Sequence, residues 1–198
     1  MALAVSLLAA GRSRRMRGRD KLLEEIDGVP LLRRQATRIL AAQIGPLAVT
    51  LPQDQTSRAA ALAGLDVTRL PVTDAEEGLA ASLRTAGRWA AEIDAEGLML
   101  CPADLPDLTV DDFRRLAAAF TPGGISVQAT AEDGTPGHPV IFPADMLSSF
   151  VTLSGDIGAR DLLRARPPRL VALPGAHATT DLDTPEDWED WRKDRHAD

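Results

Sequence analysis

The 198-residue chain has no tyrosine, and its only aromatic residues are four Phe and three Trp. So few flat side chains exclude the stacking platforms on which proteins hold single-stranded nucleic acid. One cysteine, Cys101, leaves no partner for an intrachain disulfide or a thiolate metal cluster. Three histidines (His138, His177 and His196) are too few and too scattered for a His-rich metal site. No run of 18 apolar residues is present, so nothing reads as a bilayer span. The apolar start lacks a basic lead-in and runs directly into arginines, unlike a secretory leader. Positive charge is not in excess either: 22 Lys and Arg against 29 Asp and Glu give a net charge of -7. Such a chain is a poor partner for a nucleic-acid backbone. The expectation is a cytoplasmic, monomeric protein of one domain, residues 1–198, with neither membrane nor nucleic acid as a partner.

What is present is a globular composition, 44% apolar and 26% charged, with a regular rhythm. Residues 2–8 read as a strand buried on both faces, ending at the small-residue turn Ala9-Ala10-Gly11. Gly28-Val29-Pro30 opens a helix whose Leu32, Ala36, Ile39 and Leu40 share a face, and Gly45-Pro46 stops it. Strands follow at 47–51, 67–70 and 98–100, with helices at 55–63 and 78–93 between them; Leu79, Leu83, Ala86, Ala90 and Ile93 are expected inward. Thr109 caps a helix to Ala119, with Asp112 three residues on, although Glu or Gln would complete the box better. After Gly123 the rhythm changes. Residues 125–129 and 139–142 read as strands of an antiparallel or mixed edge, and short helices are expected at 144–150 and 157–164. A strand at 169–173 and an acidic helix at 184–195 complete the chain. The pattern predicts an α/β fold: a mainly parallel sheet with helices on both faces and a mixed edge.

The first strand leads into a segment, Arg12 to Lys21, with six cations and one anion. It lies at a strand's carboxyl end, where α/β folds place ligands. Small residues let backbone amides approach an anion, and Arg and Lys grip phosphate oxygens, so the segment reads as a polyphosphate cradle. The plainer reading is a solvated basic loop. The spacing fits neither G-x-x-x-x-G-K-[ST] nor G-x-G-x-x-G, which weighs against a kinase-like NTPase and a dehydrogenase. Asp104, held between Pro102 and Pro106 after the fourth strand, can hold Mg²⁺ at phosphates or serve only as a loop acid. In Asp181-Leu182-Asp183-Thr184-Pro185-Glu186, alternation puts Asp181 and Asp183 on one face, so one can complete a metal site. Alternatively, Asp183 or Thr184 caps the last helix. Gly155-Asp156-Ile157-Gly158-Ala159-Arg160 reads as a phosphate clamp or an ion-paired helix start. Neither H-E-x-x-H nor G-x-S-x-G occurs, which leaves zinc peptidases and α/β-hydrolases unsupported. Cys101 is expected to be a small buried residue, and Trp188 and Trp191 to pack the last helix onto the body.

Several segments, in order, resemble the nucleotidyltransferase family of molybdenum cofactor cytidylyltransferase and guanylyltransferase. They are Leu8-Ala9-Ala10-Gly11-Arg12-Ser13-Arg14-Arg15-Met16 with Asp20-Lys21-Leu22-Leu23, Gly78-Leu79-Ala80-Ala81-Ser82-Leu83-Arg84, Pro102-Ala103-Asp104-Leu105-Pro106, Gly137-His138-Pro139-Val140, Gly155 to Arg160, and Asp181 to Asp187. The likeness covers nearly the whole chain, and the Gly-His-Pro and Gly-Asp-x-Gly-Ala-Arg pieces look more like the cytidylyl branch. One departure is Arg17, where a glycine commonly follows the methionine; Gly18 comes one place later. The resemblance implies a Rossmann-like domain in which Leu8, Ala9, Ala10, Gly11, Arg12 and Ser13 wrap a nucleotide. It also implies that Gly78 and Ser82 meet the base or ribose, and that Arg15 and Lys21 neutralise the triphosphate. Asp104 and Asp183 would hold Mg²⁺, and Gly137, His138, Asp156 and Arg160 would face the acceptor. The reaction implied is transfer of CMP from CTP to the terminal phosphate of a molybdopterin-type acceptor, with release of pyrophosphate. Guanylyl transfer from GTP, or transfer to a sugar phosphate, is the nearest alternative. A non-catalytic molybdopterin carrier is the alternative of another class. A molybdoenzyme or its maturation factor is the transient partner that the resemblance implies.

Overall fold

The computed structural model describes residues 3–54, 56–155 and 159–195. Its strands are β1 (Ala4–Leu8), β2 (Glu25–Ile26), β3 (Val29–Pro30), β4 (Leu47–Pro52), β5 (Thr68–Val72), β6 (Gly97–Pro102), β7 (Val127–Thr130), β8 (Pro136–Pro143) and β9 (Arg169–Ala172). Its α-helices are α1 (Leu31–Ala42), α2 (Thr56–Ala61), α3 (Leu79–Glu92), α4 (Val110–Ala119), α5 (Ala144–Leu147), α6 (Arg160–Ala165) and α7 (Pro185–Arg195). Three short 3₁₀ turns cover Arg14–Met16, Ala75–Glu77 and Ser148–Thr152.

Seven strands form one sheet in the order β5-β4-β1-β6-β8-β7-β9. The ladders β5-β4, β4-β1, β1-β6 and β7-β9 are parallel, and β8 alone runs against its neighbours β6 and β7. This is the expected parallel sheet with a mixed edge. The alternation of β1 divides its side chains between two layers. Val5 and Leu7 join a core with Leu31, Leu32, Ile39, Phe113, Leu116 and Trp188 from α1, α4 and α7. Ala4 faces the other layer, with Leu83, Ala86 and Ala90 of α3, Met146 and Leu147 of α5, and Phe142 and Phe150. Helices therefore cover both sheet faces, as the near-continuous apolar strands require.

The chain leaves β1, builds β4 and β5 on one side of it, then crosses through α3 to place β6 on the other side. The order reverses between β1 and β6, which is where open α/β sheets form a ligand crevice beyond the strands' carboxyl ends. Two loops emerge at that point, the one after Leu8 and the one after Pro102.

Several sequence expectations shift. Gly28-Val29-Pro30 does not simply open a helix. Asp27 (φ 54°) and Gly28 (φ 75°) form the two-residue turn of the hairpin β2-β3, and Pro30 then precedes α1. Leu79 was expected inward, but it is 38% exposed because the first turn of α3 stands at the mouth of a cleft, while Leu83, Ala86 and Ala90 are buried. The helix expected at 144–150 ends at Leu147 and continues as a 3₁₀ turn. Of the helix expected at 157–164, the described part starts at Arg160; Ile157 lies outside the described residues, as does Gln55 at the start of the other short helix. Thr109 makes the full capping box with Asp112: its Oγ1 accepts from the Asp112 amide and the Asp112 carboxylate accepts from the Thr109 amide.

Candidate active site

The loop after β1, the first turn of α3, the loop after β6 and the approach to α7 meet around a cleft of about 430 Å³. Its lining includes Leu8, Ala10, Gly11, Arg12, Ser13, Arg15, Lys21, Gly78, Ser82, Asp104 and Asp183. Residues from four separate sequence motifs therefore share one wall. Ala9 is buried beside them. Its amide donates to the Thr50 carbonyl and hydroxyl on β4, which fixes the start of the loop to the sheet. Gly78 (φ 82°, ψ -153°) adopts a backbone conformation that glycine reaches most readily, and so turns the chain into α3 with Ser82 on the cleft side.

Lys21 is the centre of charge. Its Nζ lies 2.5 Å from Asp104 Oδ2 and 2.6 Å from Asp183 Oδ1, with only 13% of its side chain exposed. Burial pushes the Lys21 pKa down, but Asp104 and Asp183 together outweigh it and hold the ammonium above its usual range. Arg15 reaches the other oxygen of Asp183 at 2.6 Å. The two acidic loops are tied through the backbone, since the Leu182 amide donates to the Asp104 carbonyl. Leu182 enters the core, so alternation leaves Asp183 on the cleft side. Capping of α7 is carried by Thr184, whose Oγ1 accepts from the Asp187 amide while Asp187 accepts from the Thr184 and Asp183 amides. The Asp183 carboxylate is thereby left for the cations.

Two carboxylates that converge on one cationic point suit a hard divalent ion, which takes oxygen ligands and keeps positions for phosphate oxygens and water. No group of three or more His, Cys, Asp or Glu among the described residues gathers to hold a metal by itself. Asp104 and Asp183 are the acids on this wall that could hold such an ion beside phosphate.

Three other cations of the loop are also paired. Arg12 meets Glu76 at 2.8 Å, Arg19 meets Glu24 at 3.2 Å, and Arg17 pairs with Glu186. The Arg12 and Arg17 contacts are exposed on both sides and therefore weak. Exchanging them for phosphate oxygens costs little.

Residues 5–171 match the model of the MobA-like NTP transferase domain. The chain belongs to this family. It is a nucleotidyltransferase. The molybdenum cofactor guanylyltransferase of Rhodobacter capsulatus is 32% identical over 190 residues, covering 94% of this chain and 88% of that protein. The molybdenum cofactor cytidylyltransferase of Escherichia coli is 26% identical over 123 residues, covering 62% of this chain and 61% of that protein. Among solved structures, Rv0371c of Mycobacterium tuberculosis superposes with a TM-score of 0.80 at 30% identity, covering 97% of this chain and 98% of that one. A further structure of that protein, in complex with manganese, gives a TM-score of 0.75 at 28% identity over 96% and 97% of the two chains.

Other singled-out residues of this MobA-like chain lie apart from the main lining. Gly137 packs against the loop before α7: a Cβ there would stand 2.0 Å from the Ala178 carbonyl oxygen. Its lack of a side chain has a structural use. His138 follows, its amide donating to that same carbonyl, and its Nδ1 is buried without a partner among the described residues. Burial lowers the His138 pKa, while nearby Asp104 opposes the change less strongly. Asp181 moves the other way, raised by burial and by the like charges of Asp183 and Asp104. Arg160 opens α6 on the exposed surface, with no ion pair among the described residues, and Asp156 lies outside them. The Gly155 carbonyl accepts from the Ala80 amide, which ties this segment to the first turn of α3. Cys101 is buried, its thiol pushed far up by burial, which leaves it unreactive. Trp188 is buried, and Trp191 stacks edge-on against it while donating to Asp107.

The His138 shift carries a pH prediction. The unfolded histidine protonates near its ordinary value of 6.5, while the folded one protonates lower. Between the two values the unfolded state binds more protons, so stability falls as pH drops below 6.5. His138→Gln removes this contribution. Urea unfolding from pH 7.5 to 5 should show a shallower decline for the variant than for the wild type; parallel curves would contradict the shift.

Sequence reasoning missed Arg58. It is 1% exposed on α2, and its guanidinium bonds Asp20 and the carbonyls of Ala9 and Gly11. In the sequence it is one arginine in an alanine-rich segment, with nothing to separate it from a solvated one.

Proposed function

We propose that this chain transfers CMP from CTP to the terminal phosphate of a molybdopterin-type acceptor and releases pyrophosphate. The observation that carries this reading is the convergence of Lys21, Arg15, Asp104 and Asp183 on one cleft wall beside the small-residue loop. The acceptor oxygen attacks the α-phosphorus as the bond to the β-phosphate oxygen breaks, and pyrophosphate leaves with the electron pair. A phosphate nucleophile is already ionised at neutral pH, so no side chain has to remove a proton. The loop from Leu8 to Ser13 wraps the nucleotide. Lys21 and Arg15 exchange carboxylates for phosphate oxygens and offset the charge that builds on the leaving group. Asp104 and Asp183 would hold Mg²⁺, which supplies Lewis-acid polarisation of the phosphates when bound. Gly78 and Ser82 contact base or ribose, and Gly137, His138, Asp156 and Arg160 stand on the acceptor side.

The choice of CTP rests on the likeness of the Gly137-His138-Pro139 and Gly155 to Arg160 pieces to the cytidylyl branch. A second reading, GTP, is favoured by the Rhodobacter capsulatus guanylyltransferase, which matches more of the chain at higher identity than the Escherichia coli cytidylyltransferase. Thermal unfolding with Mg²⁺ and each nucleoside triphosphate separates them, because a ligand stabilises the state that binds it. The largest rise in Tm is expected with CTP. A larger rise with GTP moves the assignment to guanylyl transfer and leaves the phosphate chemistry intact.

A further inference from the structure

The buried charge of Arg58 has a geometric consequence for the loop above it. Arg58 Nη1 donates to the Ala9 carbonyl at 2.6 Å and the Gly11 carbonyl at 2.8 Å. Its Nε and Nη2 clamp the two oxygens of Asp20 at 2.7 and 2.8 Å, and Nη2 also reaches Ser13 Oγ at 3.3 Å. Ser13 Oγ donates to Asp20 and accepts from the Lys21 amide at 3.1 Å. One side chain on α2 therefore grips the beginning, middle and end of the segment from Ala9 to Lys21.

A trans peptide points its N–H opposite its C=O. With the Ala9 and Gly11 carbonyls drawn down onto Arg58, the amides of Ala10 and Arg12 point away from it, toward the cleft that both residues line. Neither amide donates to a protein acceptor among the described residues. Alternate amides turned to one side, without a protein acceptor, offer two donors to the same anion. Asp20 immediately precedes Lys21, so the same clamp fixes the backbone from which the central ammonium projects.

We infer that Arg58, with Asp20, is a positioning residue for the triphosphate: it aims the Ala10 and Arg12 amides and sets Lys21, without touching substrate itself. The inference rests on the nucleotidyl-transfer reading and adds to it a residue outside every motif that suggested that reading. Lysine at position 58 keeps one charge but cannot supply the planar fork that holds two carbonyls and a carboxylate at once.

The test compares CTP, CMP, cytidine and inorganic tripolyphosphate by titration calorimetry, with Mg²⁺, on wild type, Arg58→Lys and Asp20→Asn. Asp20→Asn is isosteric and leaves Arg58 its carbonyls, so it keeps the test open if the lysine variant fails to fold. The expected result is a loss of CTP and tripolyphosphate affinity of about tenfold or more, with cytidine affinity within about twofold and KM for CTP rising more than kcat falls. A merely structural role lowers Tm and weakens all four ligands in parallel; that result, or unchanged CTP affinity in a folded variant, overturns the inference. A wild-type chain that binds neither nucleoside triphosphates nor tripolyphosphate overturns the nucleotidyl-transfer reading itself, and this inference with it.

Discussion

Asp104→Asn is expected to lower pyrophosphate release by about 10² to 10³-fold while the chain stays folded. The substitution keeps the size of the side chain and its position after β6, so the backbone bond from Leu182 to the Asp104 carbonyl is retained. What it removes is one of the two negative charges that meet at Lys21 Nζ. In the proposed reaction those charges would hold the divalent ion, and an amide oxygen is a much weaker ligand for a hard cation. Asp104 is not a core residue: its side chain is 19% exposed on the cleft wall, and Asp183 still pairs with Lys21 in the variant. The effect therefore belongs in kcat/KM rather than in stability. Steady-state pyrophosphate release, read beside a melting curve, checks both halves. Wild-type turnover in Asp104→Asn would remove Asp104 from the reaction.

Lys21→Ala has the second large effect, a loss of about 10² to 10³-fold in turnover with CTP affinity reduced as well. Lys21 is the only described residue whose side-chain nitrogen touches both Asp104 and Asp183, and Arg15, which reaches Asp183 alone, is 69% exposed. Arg15 cannot take its place from the rim. The substitution also leaves two facing carboxylates without their shared ammonium, so apo stability falls modestly. The pH dependence of that loss follows from the raised pKa of Lys21. Its contribution is fully present below the unfolded value of 10.5 and disappears as pH rises through the higher folded value, so it is constant across neutral pH. The difference in Tm between Lys21→Ala and wild type should then be the same at pH 7 and pH 9. Full activity in the folded variant would contradict the role given to Lys21.

Much of this site could be read from residue order, for a physical reason. The strand ends are apolar runs that stop at small residues or proline, and a parallel sheet places those ends side by side. Leu8 to Ser13 and Pro102 to Asp104 thus met as expected, at the point where strand order reverses. Asp183 was legible as one of two uses, metal or cap. Only the structure shows Thr184 taking the cap and leaving the carboxylate to Lys21. The hairpin at Asp27-Gly28 carried a recognisable Asp-Gly signal that the helix-opening reading of Gly28-Val29-Pro30 overrode. Leu79 misled because helical spacing reports a face, whereas the first turn of α3 overhangs the cleft beyond the layer that the rest of that face covers. Arg58 was not legible. Its partners are two backbone carbonyls and an acid 38 residues away, and backbone groups leave no trace in a sequence pattern.

The most direct test is whether the nucleotide's α-phosphorus ends up on the pterin phosphate. Purified protein would be incubated with Mg²⁺, molybdopterin cofactor and CTP, GTP, ATP or UTP labelled at the α-phosphorus, following pyrophosphate and label together. The account predicts acceptor-dependent pyrophosphate release, largest with CTP, one label entering the pterin product for each pyrophosphate released. Absence of label in the pterin product with every nucleotide would contradict it.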